Sequence, residues 1–275
     1  MPTHQSQSKN ERKTTRHNPF AVFSSGTVIG ILGGLIGLGG AEFRLPLLIG
    51  VFGFGALEAV MLNKAMSLVV VASALPFRAA TVPFSSVLER YDVLVTLLSG
   101  SIVGAWLGAG WAIRLRSQRL YRVIAVLLVG IAAVLLWGHG LSAASTPLVH
   151  GWLLTSVGVL AGVGIGVVAA LLGVAGGELL IPTVMLLFGA DLKLAGSISL
   201  AVSLPTMITS FTRYSRDRNF VVIRKERRFI VIMAAGSLVG AYVGGLLLGI
   251  IPTPMLLPIL AAILAISAVK VWRHK

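Results

Sequence analysis

Two short stretches of this chain place a carboxylate where it could do chemistry: Gly37-Leu-Gly-Gly-Ala-Glu42-Phe-Arg-Leu-Pro46 and Gly173-Val-Ala-Gly-Gly-Glu178-Leu-Leu-Ile-Pro182. In each, glycines permit a sharp chain reversal, and the proline falls in the first turns of a new helix whose leading N–H groups have no intrahelical acceptor. Free N–H groups at the positive end of a helix dipole form an anion site, so Gly39, Gly40, Gly176 and Gly177 are candidate substrate-binding positions; close helix packing through small residues is the competing account. Glu42 and Glu178 have two roles open, capping their own short helix or taking up and releasing a proton. Arg44 can neutralise Glu42, whereas Leu180 stands at the matching place in the second stretch.

A second polar set opens the next apolar segment. Asn63, Lys64 and Ser67 are candidate anion ligands, and Lys64, Ser67, Val71, Leu75 and Arg78 share one helical face. Lys64 and Arg78 are about 21 Å apart along such a helix, so they cannot hold one small ion together. Snorkelling to the headgroups is the alternative for either cation. The corresponding face later in the chain carries Ser197, Ser199, Ser203, Thr206 and Thr209; Ser199 and Ser203 join the candidate ligands, while back-bonding to their own helix would also account for these hydroxyls. Asp191 and Lys193 suit a local surface pair. There is no cysteine, and the histidines (His4, His17, His139, His150, His274) fall in tails or loops. With no metal-ligand spacing, nucleophile motif or phosphate loop, the expectation is no enzyme activity, no metal and no cofactor.

The elements that position these groups lie in a bilayer. Hydrophobic residues make up 56% of the 275 and charged ones 12%, with a mean hydropathy of +0.92; a soluble domain averages about 25% charged. Apolar segments run over 20–38, 43–54, 60–82, 93–113, 120–138, 151–172, 179–190, 194–212, 229–249 and 254–272. Most approach the roughly 20 residues needed to span about 30 Å of hydrocarbon, but the second and seventh are too short, which suggests re-entrant half-helices. The first is longer than a usual signal-peptide core and runs on into apolar sequence, so it is expected to be retained.

The chain repeats itself at a constant offset of 136 residues: Gly37 matches Gly173, Glu42 matches Glu178, Pro46 matches Pro182 and Ser67 matches Ser203. Gly-Ser-Ile-Val-Gly-Ala-Trp-Leu-Gly (100–108) matches Gly-Ser-Leu-Val-Gly-Ala-Tyr-Val-Gly (236–244) at the same offset. The domain division expected is a basic tail (1–19), a first membrane repeat (20–138), an external linker (139–150) and a second membrane repeat (151–275). Of 23 Lys and Arg, 18 lie in four patches, Lys9–Arg16, Arg114–Arg122, Arg213–Arg228 and Lys270–Lys275, which the positive-inside rule places in the cytoplasm with both termini. Such patches between apolar runs do not make a nucleic-acid footprint. The Arg114–Arg122 loop is then inside while its repeat mate, 250–254, is outside; the Arg213–Arg228 loop is inside while its mate, 83–92, is outside. Two inverted-topology repeats of about five helical segments each are therefore expected in an all-α polytopic membrane protein, with a substrate site near the midplane as in many secondary transporters.

The paired glycine motifs, the Asn63-Lys-Ala-Met-Ser-Leu-Val-Val-Val stretch and the Gly-Ser-x-Val-Gly-Ala segments resemble the sulfite exporter TauE/SafE family, from about residue 25 to 272. The second copy departs from the pattern, with Ala175 where the first has Gly39 and Ser199-Leu200 where the first has Asn63-Lys64. The resemblance implies a multi-pass carrier of the cell inner membrane for sulfite, an organosulfonate or a related small anion, partnered by its substrate and the bilayer, with homo-oligomerisation left open. Alternating access, with proton coupling through Glu42 or Glu178 as an option, is the expected mechanism. An anion channel and a non-transporting sensor or assembly subunit are the rivals.

Overall fold

The computed structural model describes residues 18–36, 40–81, 87–137, 151–247 and 253–274, and these form helices without strands. In chain order the α-helices among them are α1 (Pro19–Ile36), α2 (Ala41–Gly50), α3 (Ala56–Thr81), α4 (Tyr91–Arg114), α5 (Ser117–Trp137), α6 (Trp152–Leu172), α7 (Gly177–Phe188), α8 (Leu192–Tyr214), α9 (Val221–Lys225), α10 (Arg227–Leu247) and α11 (Thr253–Trp272). Six of them are long and apolar enough to cross a membrane by length and composition: α3, α4, α5, α6, α8 and α10. With 10 and 12 residues, α2 and α7 are about 15 and 18 Å long and cannot cross alone. Both start two residues before the apolar runs that announced them. A helix begins at its cap, and here the caps are glycines, which hydropathy does not register.

Each half contributes five main helices, and the two sets interleave. The first helix of one half lies on the fourth of the other: α1 packs on α10, and α4 packs on α6. Glycine stripes at four-residue spacing allow both contacts. A Cβ at Gly26, Gly30 or Gly34 would strike the backbone of residues 233–244, and one at Gly236, Gly240 or Gly244 would strike that of α1. The same holds for Gly100, Gly104 and Gly108 of α4 against Gly162, Gly166 and their neighbours in α6. Backbones this close gain dispersion contacts that lipid tails cannot supply, which is how helices associate within hydrocarbon. The register also fixes direction: in both pairs residue numbers rise together, so α1 runs parallel to α10 and α4 parallel to α6. The outer faces keep large apolar side chains exposed, among them Val95, Val103 and Leu107 of α4 and Val231, Val239 and Leu246 of α10.

The remaining contacts run both between the halves and within them. Helices α5 and α11 pack together, α3 meets α8, and each short helix packs on the long helix that follows it, α2 on α3 and α7 on α8. The two glycine breaks, α1 to α2 and α6 to α7, are thereby brought against the α3 and α8 pair at the centre.

Candidate functional site

Both short helices start at a glycine in the left-handed region, Gly40 (φ 70°) for α2 and Gly176 (φ 86°) for α7, with no side-chain cap at either. L side chains rarely adopt this conformation, so glycine sets the reversal. The first intrahelical donors are Arg44 N to Gly40 O (3.2 Å) and Leu179 N to Gly176 O (3.1 Å). Gly177 is the buried first residue of α7. Gly39, with Gly37, lies outside the described residues. The carboxylate oxygens of Glu42 and Glu178 accept no hydrogen bond from other residues among those described.

Instead the two glutamates face each other. Glu42 (0% exposed) and Glu178 (3%) lie close enough for a proton on one carboxyl to bond the other. Two cations stand near this pair, each wholly buried: Arg44 within electrostatic reach of Glu42, and Lys64 within reach of Glu178. Neither forms an ion pair with either carboxylate among the described residues. Burying four ionisable groups at membrane depth costs several kcal/mol unless they compensate one another or a ligand.

Lys64 does not snorkel. Its ammonium reaches across to the second glycine break and donates to Ala169 O and Val174 O, both at 2.8 Å. Asn63 beside it donates through Nδ2 to Leu172 O (3.0 Å) and Ala41 O (2.9 Å), tying the end of α6 to the start of α2. Tyr214 at the end of α8 donates to Ala170 O at 2.9 Å. The end of α6 turns through Gly173 (φ 68°), with Val174 N on Ala169 O and Gly173 N on Ala170 O, a Schellman arrangement. Three side chains therefore saturate carbonyls at the negative end of a helix dipole, where a cation and polar donors belong.

Ser67 is buried and accepts from Arg44 Nη1 at 3.4 Å. Ser199 and Ser203 are buried on α8, the latter with its hydroxyl unpartnered among the described residues, and no hydrogen bond ties either to the cluster. Back-bonding accounts for other hydroxyls of that helix: Ser197 donates to Lys193 O, Thr206 to Val202 O and Thr209 to Pro205 O. The Arg78 side chain is outside the described set. The Asp191 carboxylate caps α8 by accepting from Lys193 N and Leu194 N.

The arrangement thus joins Glu42, Asn63, Lys64, Ser67 and Glu178 in one closed polar cluster and adds Arg44, which sequence reasoning weighed only as a neutraliser. One signal was available, an arginine on a ten-residue apolar helix too short to bring it to an interface. The cluster is sealed from solvent. A surface pocket of about 320 Å³, lined by Trp111, Arg122, Val126, Val167, Leu171 and Trp272, lies elsewhere on the apolar flank. No group of three or more metal-ligating side chains occurs among the described residues.

A family model described as sulfite exporter TauE/SafE matches residues 2–135 and 158–275, one stretch for each half. No curated protein and no solved structure matches the chain.

Proposed function

This chain belongs to the sulfite exporter TauE/SafE family, and from that premise we propose that it is a secondary transporter of a small sulfur oxyanion, sulfite or an organosulfonate, working by alternating access across the cytoplasmic membrane. The single observation that carries the reading is the closed cluster of Glu42, Arg44, Asn63, Lys64, Ser67 and Glu178 where the two glycine breaks meet. Gly40, Gly176 and Gly177 are the candidate backbone contacts, with Ser199 and Ser203 completing the polar lining from α8.

Charge balance favours proton coupling. With both carboxylates ionised, Arg44 and Lys64 leave the cluster formally neutral, so an arriving anion would add uncompensated charge in a low-dielectric site. A proton bound between Glu42 and Glu178 cancels that charge for a monoanion. The expected coupling is anion and proton moving together.

Helix directions support the orientation. The parallel helices α1 and α10 both begin beside basic segments, and α4, parallel to α6, ends in Arg114, consistent with cytoplasmic termini and inverted halves. Tagging 87–92 and 215–220 tests this, and finding both on one side of the membrane refutes the inversion.

Flux of sulfite and small sulfonates in proteoliposomes decides the function. Saturable, trans-stimulated flux that acidifies the receiving compartment is expected. Non-saturable flux without trans-stimulation supports a channel. The closed packing around the cluster favours a second reading, a non-transporting assembly subunit, which predicts no flux for any anion of the panel.

A further inference from the structure

We propose that Arg44 is the oxyanion-binding residue and that the ligand it takes carries at least two oxygens on one central atom. The inference rests on the transporter reading and sharpens it.

Of the two buried cations, only one has two neighbouring donor nitrogens without a partner among the described residues. Lys64 spends two of its three donors on Ala169 O and Val174 O. Arg44, 0% exposed, makes one long hydrogen bond through Nη1 to Ser67, and its Nε and Nη2 have no partner among the described residues. Those two nitrogens form one edge of the guanidinium, and their N–H groups point the same way. That edge is the fork that matches two oxygens of a carboxylate, phosphate or sulfur oxyanion in a bidentate contact. A guanidinium sealed from water with this edge unpaired is costly, and an anion supplying two acceptors removes the cost.

The surroundings select the same class. Arg44 lies on α2 four residues beyond Gly40, so the uncapped N-terminus of that helix is one turn away. Ser67 holds Nη1 from α3 and orients the guanidinium plane. The nearby Glu42 and Glu178 pair repels an anion unless protonated, which ties occupancy of Arg44 to the proton proposed above. Because Leu180 stands at the repeat-equivalent position, there is one such fork in the cluster, and one anion per cycle is expected.

The test uses the purified full chain, with thermal stabilisation by sulfite, sulfate, methanesulfonate, chloride and thiocyanate, and tracer flux of the same anions in proteoliposomes. The wild-type chain should bind the oxyanions in preference to chloride and thiocyanate. Arg44→Lys, which keeps the charge and removes the fork, should weaken sulfite binding roughly tenfold or more and erase that preference. Equal wild-type affinity for chloride and sulfite overturns the inference even if no Arg44 variant folds, and so does an Arg44→Lys chain with unchanged sulfite affinity. Either result leaves the transporter reading standing where wild-type flux is present. Absence of both binding and flux for every sulfur oxyanion defeats the transporter reading itself, and the inference with it.

Discussion

The two glycine breaks have the same sequence logic and opposite fittings. At the second, the end of α6 is held by Asn63, Lys64 and Tyr214, which saturate carbonyls of Ala169, Ala170, Leu172 and Val174. The matching positions for the first break are Ser199, Leu200 and Arg78. Leu200 has no side-chain donor and packs instead against the apolar cluster of Val71, Ala175 and Met207. On the ligand side the asymmetry reverses: α2 carries Arg44, where α7 has Leu180. Among the described residues, the second break is held by three donating side chains, and the helix after the first carries the cation with unpartnered donors. On the proposed reading, one anion would be bound beside α2 and none at the matching place on α7.

The largest expected difference between the breaks is at Lys64 and Leu200. Lys64→Met removes the donor to Val174 O and one of the donors to Ala169 O, which keeps Val174 N, and should cost about 3 kcal/mol with the loss of two charged hydrogen bonds, whereas Leu200→Met conserves volume and should cost less than about 1.5 kcal/mol; denaturant unfolding in detergent measures both. Equal effects would dissolve the distinction between Lys64 and its repeat mate. Next come the two caps. A Cβ at Gly40 meets the backbone carbonyl of Ile29, while one at Gly176 meets only side-chain atoms of Ile165 and Ala169, at 3.2 and 3.3 Å. Both Gly→Ala changes incur left-handed strain of about 1–3 kcal/mol, and Gly40→Ala should lower the melting temperature further. A larger loss for Gly176→Ala would reverse the ranking.

The smallest contrast lies at the repeat-equivalent serines of α4 and α10. The Ser101 hydroxyl bonds Thr206 at 2.7 Å, whereas that of Ser237 is buried without a partner among the described residues. Ser101→Ala should cost about 1 kcal/mol and Ser237→Ala close to nothing, since removing an unpaired buried hydroxyl also removes its desolvation penalty. The same unfolding assay resolves the pair, and a costly Ser237→Ala would mean that hydroxyl has a role in packing α10.

Much of the scaffold was legible because apolar length and the 136-residue offset are linear signals. Hydropathy located α2 and α7 and showed that they are short, and the repeat identified Glu42 with Glu178 as mates. The facing of those two carboxylates was not legible, because contact between halves depends on interleaving. Only the second set of stripes, 100–108 and 236–244, stood out in the sequence; its partners, Gly26 and Gly30 with Gly162 and Gly166, are diluted among other small residues. Lys64 was ambiguous because a lysine's reach suits a headgroup as well as a helix terminus, and only burial distinguishes them. The neutralising role open to Arg44 fits its electrostatic reach to Glu42, but the unpartnered edge of its guanidinium depends on packing across α2 and α3 and is not legible in the sequence.

The central claim is that the closed polar cluster at the two breaks opens to each side of the membrane in turn. The chain contains no cysteine, so Ser203→Cys supplies one thiol at the buried hydroxyl of α8 against a silent background. Labelling it with a membrane-impermeant maleimide, applied from each side in turn, tests the claim directly. The account predicts slow labelling from both sides, suppressed by sulfite; labelling from neither side, or from one side only whatever the anion, would contradict it.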